Sequence, residues 1–565
     1  MLLNPKSYDP KFADPATLEI LSKTIAFFEN KGLAKVKDDD HAARWYGDFV
    51  EFQKGERIFA RLLTPSRYSE DDDARWDTWR NNLFSEVLGF YGLAYWYTWQ
   101  VTILGLGPLW QTSNEGIKEK TAKLLEEGGI FAFGLSERDH GADLYSSEMK
   151  LTPKEGGGYL GNGEKYYIGN ANKAALVSTF GKMADSDDFV FFAVDSQHKD
   201  YECVRNVCES QNYVAQYALK DYPVEEEDIL AVGRDAWDAA LNTVNIGKVN
   251  LGWASIGMCT HAFYEAIDHA SGRSLFGSYV TDFVHIKRLF VDAWARLNAM
   301  KLFALRAADY QRSASPDDRR YLLYSPMVKM KVTCEGERVI NLLWDVIAAK
   351  GFEKDTFFSM AARDIRALPK LEGTVHVNMA LIIKFMANYF FKPGEFPEIG
   401  QVTDPKDDEF LFKQGPTKGL SKIRFHSYKA AYASSSCPNV KVFRGQISAF
   451  KRMLMLARPS KKQTEDFDFL LILGELFTLT VYGQLILENA RIYDVSDDTV
   501  DQIFDFMVRD FSGYALELYG KANATLPQRL MAKRMIARPV PDAERYGRIW
   551  TGEVQAMRGA YAMNE

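Results

Sequence analysis

The chain has 565 residues, 47% of them apolar, with 69 Lys and Arg against 76 Asp and Glu. That length predicts two to four domains with ample cores, and the mildly acidic balance excludes a globally basic binder of nucleic acid or anionic membrane. The five cysteines, Cys203, Cys208, Cys259, Cys334 and Cys437, are odd in number and scattered, so they read as reduced thiols of a cytoplasmic protein. The first ten residues lack the charged-then-apolar layout of a secretory signal. The longest apolar run, Phe469 to Leu487, is interrupted by Gly474, Glu475 and Gly483, which suits a buried helix better than a membrane span.

Apolar residues at three- and four-residue spacing predict helices over 17–30, 43–63 and 75–99. From 128 to about 227 the texture changes to strands over 130–135, 159–168, 175–180 and 189–194, rich in aromatic or β-branched residues and separated by Gly, Asn and Asp turns. Beyond Trp237 the helical period returns near 249–271, 282–314, 326–351 and 376–391, and a break at 392–397 leads into a mainly helical region. The expected α+β order is an N-terminal helical domain (1–127), a middle β domain (128–238), a helical bundle (239–393) and a C-terminal helical extension (394–565). There is no internal repeat and no low-complexity stretch.

Chemistry concentrates in four segments. In 363–377, Glu372 stands among Leu368, Leu371, Val375 and Val377 and is followed by Gly373, which lets another group approach the backbone. A carboxylate stripped of water has a raised pKa and becomes a base near neutral pH. An acidic residue at a turn is, however, more often simply solvated. Residues 131–143 read as a strand ending in a Gly-containing polar loop, 162–170 as a turn into an aromatic strand, and 272–277 as a basic side chain beside a tight turn. Singly, a strand-loop, a hairpin and a helix C-cap with a dipole-favoured Arg are all ordinary.

Together, in this order and ahead of Arg363-Asp364 and Glu372-Gly373-Thr374, these segments resemble the acyl-CoA dehydrogenase family over about residues 85 to 390. The tail beyond 395 resembles the extra helical domain of that family's larger members. The resemblance implies an N-terminal helical domain, a middle β-barrel domain, a C-terminal four-helix bundle and the appended helical domain. It implies FAD as cofactor, an acyl-CoA substrate, an electron-transfer flavoprotein as acceptor, and a homodimer or homotetramer. Glu372 matches the base that removes the α-proton while the β-hydride passes to flavin N5; the thioester oxygen is held by the base's own backbone N–H and a ribityl hydroxyl. Two donors aimed at a developing enolate oxygen stabilise the transition state and bring the α-proton's pKa toward that of a desolvated carboxylate. Some relatives carry the base at the position matching Gly247, where glycine cannot serve.

The same resemblance puts Gly373 and Lys248 on the substrate side and Phe133, Leu135 and Ser136 along the isoalloxazine edge. Tyr167 matches the aromatic residue that packs on the flavin, and Gly169 the position beside N5. Arg273 and Phe276 match residues that reach the FAD pyrophosphate and adenine of a neighbouring subunit; an Arg suits pyrophosphate through its permanent charge and forked donors. Thr374 is expected near the adenine-side phosphates. Four positions depart from the pattern: Ala142 replaces a usual Ser, Gly169 a Thr, Lys248 an Arg and Val284 a Gln. A missing N5 hydroxyl removes a contact worth about 1 kcal/mol. FAD binding is still expected, while the substrate cannot be borrowed from the family's commonest members.

Other candidates read more simply. His261, Glu265 and His269 share one helical face, but a dinuclear site needs a matching set on other helices, and no metal is expected. The glycines of 103–109 follow no strand and meet Pro108, so they are not a dinucleotide loop, and 156–163 reads as a hairpin turn. Tyr91, Tyr95, Trp96, Tyr97 and Trp99 read as core packing or as the border of an acyl pocket. Between Lys413 and Lys462 there are twelve Lys or Arg and no acid. Such a strip is a solvated surface, a phosphate-facing strip, or the DNA contact of a DNA-associated flavoprotein of this fold; acidic residues over 494–510 make the charge local, and nucleic acid is not the expected partner. The leading function is α,β-dehydrogenation of an acyl-CoA, with an oxygen-reoxidised acyl-CoA oxidase as its near neighbour.

Overall fold

The computed structural model describes residues 1–141 and 143–565, so Ala142 lies outside the described residues. Packing groups the chain into two compact units. The sheet unit comprises Tyr8–Asn250, Thr403–Lys418 and Met563–Glu565; the bundle unit comprises Met1–Ser7, Leu251–Val402 and Gly419–Ala562.

The sheet unit opens with seven helices: α1 (Pro15–Lys31), α2 (Leu33–His41), α3 (Gly47–Gly55), α4 (Ile58–Leu63), α5 (Thr78–Tyr91), α6 (Leu93–Gln111) and α7 (Glu115–Glu126). Their starts carry side-chain caps where the sequence supplies them: Asp14 accepts from Thr17 N (3.2 Å), Asp77 from Trp79 N (2.9 Å) and Asn114 from Ile117 N (3.2 Å). The helix expected over 43–63 is two, α3 and α4, because Arg57 takes a left-handed φ of 53° between them.

Eight strands follow: β1 (Phe131–Gly134), β2 (Lys150–Pro153), β3 (Tyr159–Gly169), β4 (Leu176–Met183), β5 (Phe189–Val194), β6 (Tyr201–Asn206), β7 (Val214–Val224) and β8 (Ile229–Val232). They form one sheet in the order β6-β7-β3-β2-β4-β5-β8, with β1 parallel beside β4. β2 and β3 join through Gly156, Gly157 and Gly158 at φ 95°, 104° and 71°, the hairpin read from the sequence. The glycines of α6 also find their reason here. A Cβ on Gly105 would lie 2.6 Å from the Ala132 backbone nitrogen, so glycine lets the helix rest on β1. Tyr91, Tyr95, Trp96, Tyr97 and Trp99 are all buried; Tyr91 stacks on Phe28 at 4.6 Å, and the Trp99 indole N–H donates to Ser85 (3.0 Å). They are core packing.

Helix α8 (Arg234–Gly272) contains the boundary between the units. The bundle unit continues with a hairpin of β9 (Ser274–Leu275) and β10 (Ser278–Tyr279), then α9 (Val284–Arg312), α10 (Tyr321–Met327), a π-helical turn (Val328–Val332), α11 (Thr333–Ile347), α12 (Phe357–Asp364), α13 (Val375–Ile383) and α14 (Met386–Phe391). Seven helices make the extension: α15 (Lys429–Ala433), α16 (Pro438–Leu456), α17 (Lys461–Glu465), α18 (Phe467–Ile492), α19 (Asp497–Gly520), α20 (Leu526–Lys533) and α21 (Ala543–Arg548). α18 is long and apolar enough to cross a membrane, yet 83% of its most apolar stretch is buried, as a core helix requires.

Buried ion pairs join the extension to the bundle. The Arg306 Nε donates to Glu488 (2.9 Å), its Nη1 to Asp309 (3.0 Å) and its Nη2 to the Ile399 carbonyl (2.7 Å), tying α9, α18 and the connecting segment. His426 bridges the Arg320 guanidinium, 2.8 Å from its Nδ1, and the Glu488 carboxylate, 2.8 Å from its Nε2. Burial pushes the Glu488 carboxyl up, but His426 and Arg306 outweigh it and hold the pKa at about 2. A depressed carboxylate contributes stability above its ordinary value near 4.5 and loses it as pH falls toward the folded value. Glu488→Gln is expected to remove this part of the acid limb, worth about 3 kcal/mol, seen as a flatter loss of stability between about pH 4.5 and 2 in denaturant titrations.

Candidate active site

Glu372 lies between α12 and α13 in a loop that no regular hydrogen-bond ladder supports. It takes a left-handed φ of 51°, and Gly373 follows at 87°. Left-handed backbone costs a non-glycine residue about 1–2 kcal/mol, so the loop persists because its surroundings hold it. The holding groups are specific. Lys329, on the π-turn, donates its ammonium to the Pro369 carbonyl (2.7 Å) and to the Gly373 carbonyl. Asn378, one turn into α13, donates from Nδ2 to the carbonyls of Gly373 (3.0 Å) and Thr374 (3.0 Å). Thr374 itself caps α13, its hydroxyl accepting from Val377 N (3.4 Å). The apolar setting expected around Glu372 is uneven: Leu368 is fully buried but Val377 is 50% exposed, and Glu372 is half-buried. Arg363 and Asp364 pair with each other (2.7 Å) at the end of α12.

The expected flavin-side residues cluster at one end of the sheet. Phe133 on β1 is buried against Phe191 (5.9 Å). Beyond it, the Ser136 hydroxyl donates to the Tyr166 carbonyl (2.7 Å) and the Ser136 carbonyl accepts from Tyr166 N (2.9 Å), lacing 135–136 to β3. β3 carries a bulge between Lys165 and Ile168, and Tyr167 at φ 65° is turned outward, 59% exposed. Behind this surface Lys165 is fully buried; its ammonium donates to the Leu135 carbonyl (3.1 Å) and to Glu137 (2.7 Å). Burial brings the Lys165 pKa down to about 8, with Glu137 opposing the shift. Asn170 is buried and donates to the carbonyls of Thr98 (2.9 Å) and Phe131 (3.0 Å), fixing the end of β3 to α6 and β1.

The departure at Gly169 has a structural cause. A Cβ there would lie 2.6 Å from Tyr97 Cε1 and 2.7 Å from Val101 Cγ2, so α6 already fills the room of a side chain. Gly169→Thr is expected to destabilise the protein by about 1–3 kcal/mol through overpacking, and Tyr97→Ala in the same chain to relieve part of that loss in thermal unfolding. Lys248 is buried on α8, and Gly247 offers its carbonyl to Gln100 (3.1 Å). In the bundle unit, Phe276 (φ 53°) and Gly277 (φ 80°) form the two-residue turn of the β9–β10 hairpin. Phe276 is 98% exposed, Arg273 is exposed at the hairpin's base, and Val284 is 80% exposed at the start of α9. The site residues thus fall in both units: Phe133, Leu135, Ser136, Tyr167, Gly169 and Lys248 in the sheet unit, and Arg273, Phe276, Glu372, Gly373 and Thr374 in the bundle unit.

His261, Glu265 and His269 do not converge on an ion. His261 stacks on Phe357 (3.7 Å), and Glu265 accepts from Phe358 N (2.6 Å). Among the described residues, Glu137, His140 and Glu148 have ligand atoms close enough to share an ion. Glu137, however, already accepts from Ser147 (2.8 Å), Glu148 N (2.8 Å), Met149 N (3.2 Å) and Lys165 (2.7 Å), which accounts for it as a loop-fixing carboxylate. Sequence reasoning missed Lys165, Asn170, Lys329 and Asn378. Lys165 had a signal, since it shares the inward parity of Gly161 and Gly163 on β3.

Helices, then an eight-stranded sheet, then long helices that carry a Glu-Gly-Thr loop, define the acyl-CoA dehydrogenase fold. Residues 235–387 match the family model described as the acyl-CoA dehydrogenase C-terminal domain. An acyl-CoA dehydrogenase of Bacillus anthracis complexed with FAD superimposes with a TM-score of 0.76 at 16% identity, covering 98% of this chain and 97% of that one. The extension is therefore part of the shared fold. The short-chain specific acyl-CoA dehydrogenase of Megasphaera elsdenii is 22% identical over 361 residues, 62% of this chain and 93% of that protein. The 3-(aryl)acrylate reductase of Clostridium sporogenes is 24% identical over 276 residues, 47% of this chain and 71% of that protein. The family resemblance carried by the motifs is borne out by the bundle's sequence and by the fold.

Proposed function

We propose that the chain is an FAD-dependent acyl-CoA dehydrogenase in which Glu372 removes the α-proton of an acyl-CoA thioester. The observation that carries this reading is the Glu372 loop: a half-buried carboxylate in a left-handed turn, its backbone tied down on both sides by Lys329 and Asn378. Rigid placement of a base is what proton abstraction from carbon demands. The clamped backbone also carries the Glu372 N–H proposed to hold the thioester oxygen as negative charge develops on it.

The residues present suit FAD. Tyr167 and Phe276 offer exposed aromatic faces for flat conjugated rings, Arg273 an exposed guanidinium for a pyrophosphate, and Ser136 and Thr374 hydroxyls at a strand end and a helix N-terminus. FAD, when bound, accepts the β-hydride. Lys248 and Gly373 are assigned to the substrate side. Electrons are taken to pass to an electron-transfer flavoprotein. A homodimer or homotetramer belongs to the same reading, in which Arg273 and Phe276, exposed at the β9–β10 hairpin, reach the FAD of a neighbouring subunit. A cytoplasmic setting accords with five free cysteines.

The test is anaerobic mixing of the FAD-loaded protein with a panel of acyl-CoAs of short, long, branched and aromatic chains. Bleaching of the flavin absorbance by at least one of them is the expected result. Absence of bleaching across the panel, with flavin bound, argues against dehydrogenation.

A further inference from the structure

We propose that Lys329 is a positioning residue for the Glu372 base, its buried ammonium holding the loop that carries the carboxylate. This rests on the reading of Glu372 as the base. Lys329 is fully buried and sits in the π-turn Val328–Val332 between α10 and α11. A π-turn carries an extra residue, is rare, and recurs at functional sites; here it presents a lysine to a neighbouring loop. The ammonium donates to the carbonyls of Pro369 (2.7 Å) and Gly373, which bracket Glu372 in sequence. The Gly373 carbonyl takes a second donor from Asn378 (3.0 Å), so it is held from two elements at once.

The loop needs this support. Glu372 and Gly373 are consecutive left-handed residues at φ 51° and 87°, a conformation that persists only where the surroundings impose it. A lysine head suits the task because it is compact, has three rotatable donors and no acceptor, and can meet two carbonyls from different directions. Methionine of similar length would leave both carbonyls without that donor. A base displaced by about 1 Å loses roughly a hundredfold in rate, so a clamp on the loop reaches the chemistry although Lys329 itself acts only through Glu372.

The experiment compares Lys329→Met and Lys329→Arg with the parent as FAD-loaded full-length protein. It reads the anaerobic rate of flavin reduction at saturating acyl-CoA, the pH dependence of that rate, acyl-CoA affinity, and amide hydrogen exchange over residues 370–377. Lys329→Met is expected to keep its flavin, to reduce it about 10- to 100-fold more slowly with less than about threefold change in affinity, to shift the pH midpoint, and to exchange faster over the loop. Lys329→Arg is expected to recover most of the rate. A folded Lys329→Met with the parent's rate, pH midpoint and loop exchange overturns the proposal. If Lys329→Met does not fold, Lys329→Gln and Asn378→Ala are read in the same way: slowed reduction with faster loop exchange supports the clamp, and parental values in both overturn it. Glu372→Gln separates the two readings. If it still bleaches, the assignment of the base falls and this proposal with it; if it does not, parental behaviour of Lys329→Met overturns the clamp alone.

Discussion

Glu372→Gln is expected to retain bound yellow flavin and to lose anaerobic bleaching by acyl-CoA, the rate falling about a hundred- to ten-thousandfold. Gln matches Glu in size, so the substitution leaves the left-handed turn and the carbonyls held by Lys329 and Asn378 as they are. What it removes is the group that can take a proton: an amide does not accept one near neutral pH. Flavin content should be unchanged, because the aromatic and basic groups assigned to FAD are elsewhere in the chain. The decisive measurement is stopped-flow absorbance under anaerobic conditions with a substrate that bleaches the parent. Parental bleaching in the mutant would rule out Glu372 as the base.

Glu335→Gln is expected to cost about 3–5 kcal/mol of stability, the loss typical of removing one partner from a buried ion pair. Glu335 is fully buried on α11 and accepts from Arg296 on α9 (2.6 Å), Lys331 on the π-turn (2.6 Å) and Arg338 one turn on (3.1 Å). Asp510 on α19 accepts from the same two arginines, at 2.8 Å from Arg296 Nη1 and 2.7 Å from Arg338. Burial alone raises the Glu335 carboxyl pKa, but Lys331, Arg296 and Arg338 overcome it and hold the group well below the usual carboxylate range. Glu335 is the carboxylate that all three cations share, so the substitution leaves each of them short of a buried partner. The network joins α9, the π-turn, α11 and the extension's α19, so the loss should register in the cooperative unfolding of the bundle unit. Urea or thermal unfolding of the flavin-loaded protein measures it; an unchanged midpoint would mean that these charges are compensated by other means.

The readable part of this protein is what local pattern encodes. β5 falls at the predicted 189–194, and α9, at Val284–Arg312, lies within the predicted 282–314, because alternation and helical spacing reflect one buried face along a continuous segment. The Gly-rich 156–158 stretch is a hairpin because positive φ at successive positions demands glycine. Glu372 was reachable by motif, since Glu-Gly-Thr keeps its order in the chain. Where an element breaks, the sequence is silent: the left-handed residue at Arg57 that divides α3 from α4, and the bulge that turns Tyr167 outward, depend on packing against other elements.

By itself, then, the sequence determined the order of helices and strands and the family resemblance, and it supplied the residues proposed for base and flavin, all carried by short contiguous stretches. Only the tertiary structure decided why Gly169 must be glycine, since Tyr97 and Val101 reach it from another element. It alone showed that Lys165 lies behind 135–137 and that Lys329 holds the loop of Glu372. The return of Thr403–Lys418 to the sheet unit belongs to the same class. The physical reason is common to all of them. A buried lysine or a required glycine is selected by groups distant in the chain, and a hydrogen bond across such a distance leaves no periodic trace in the sequence.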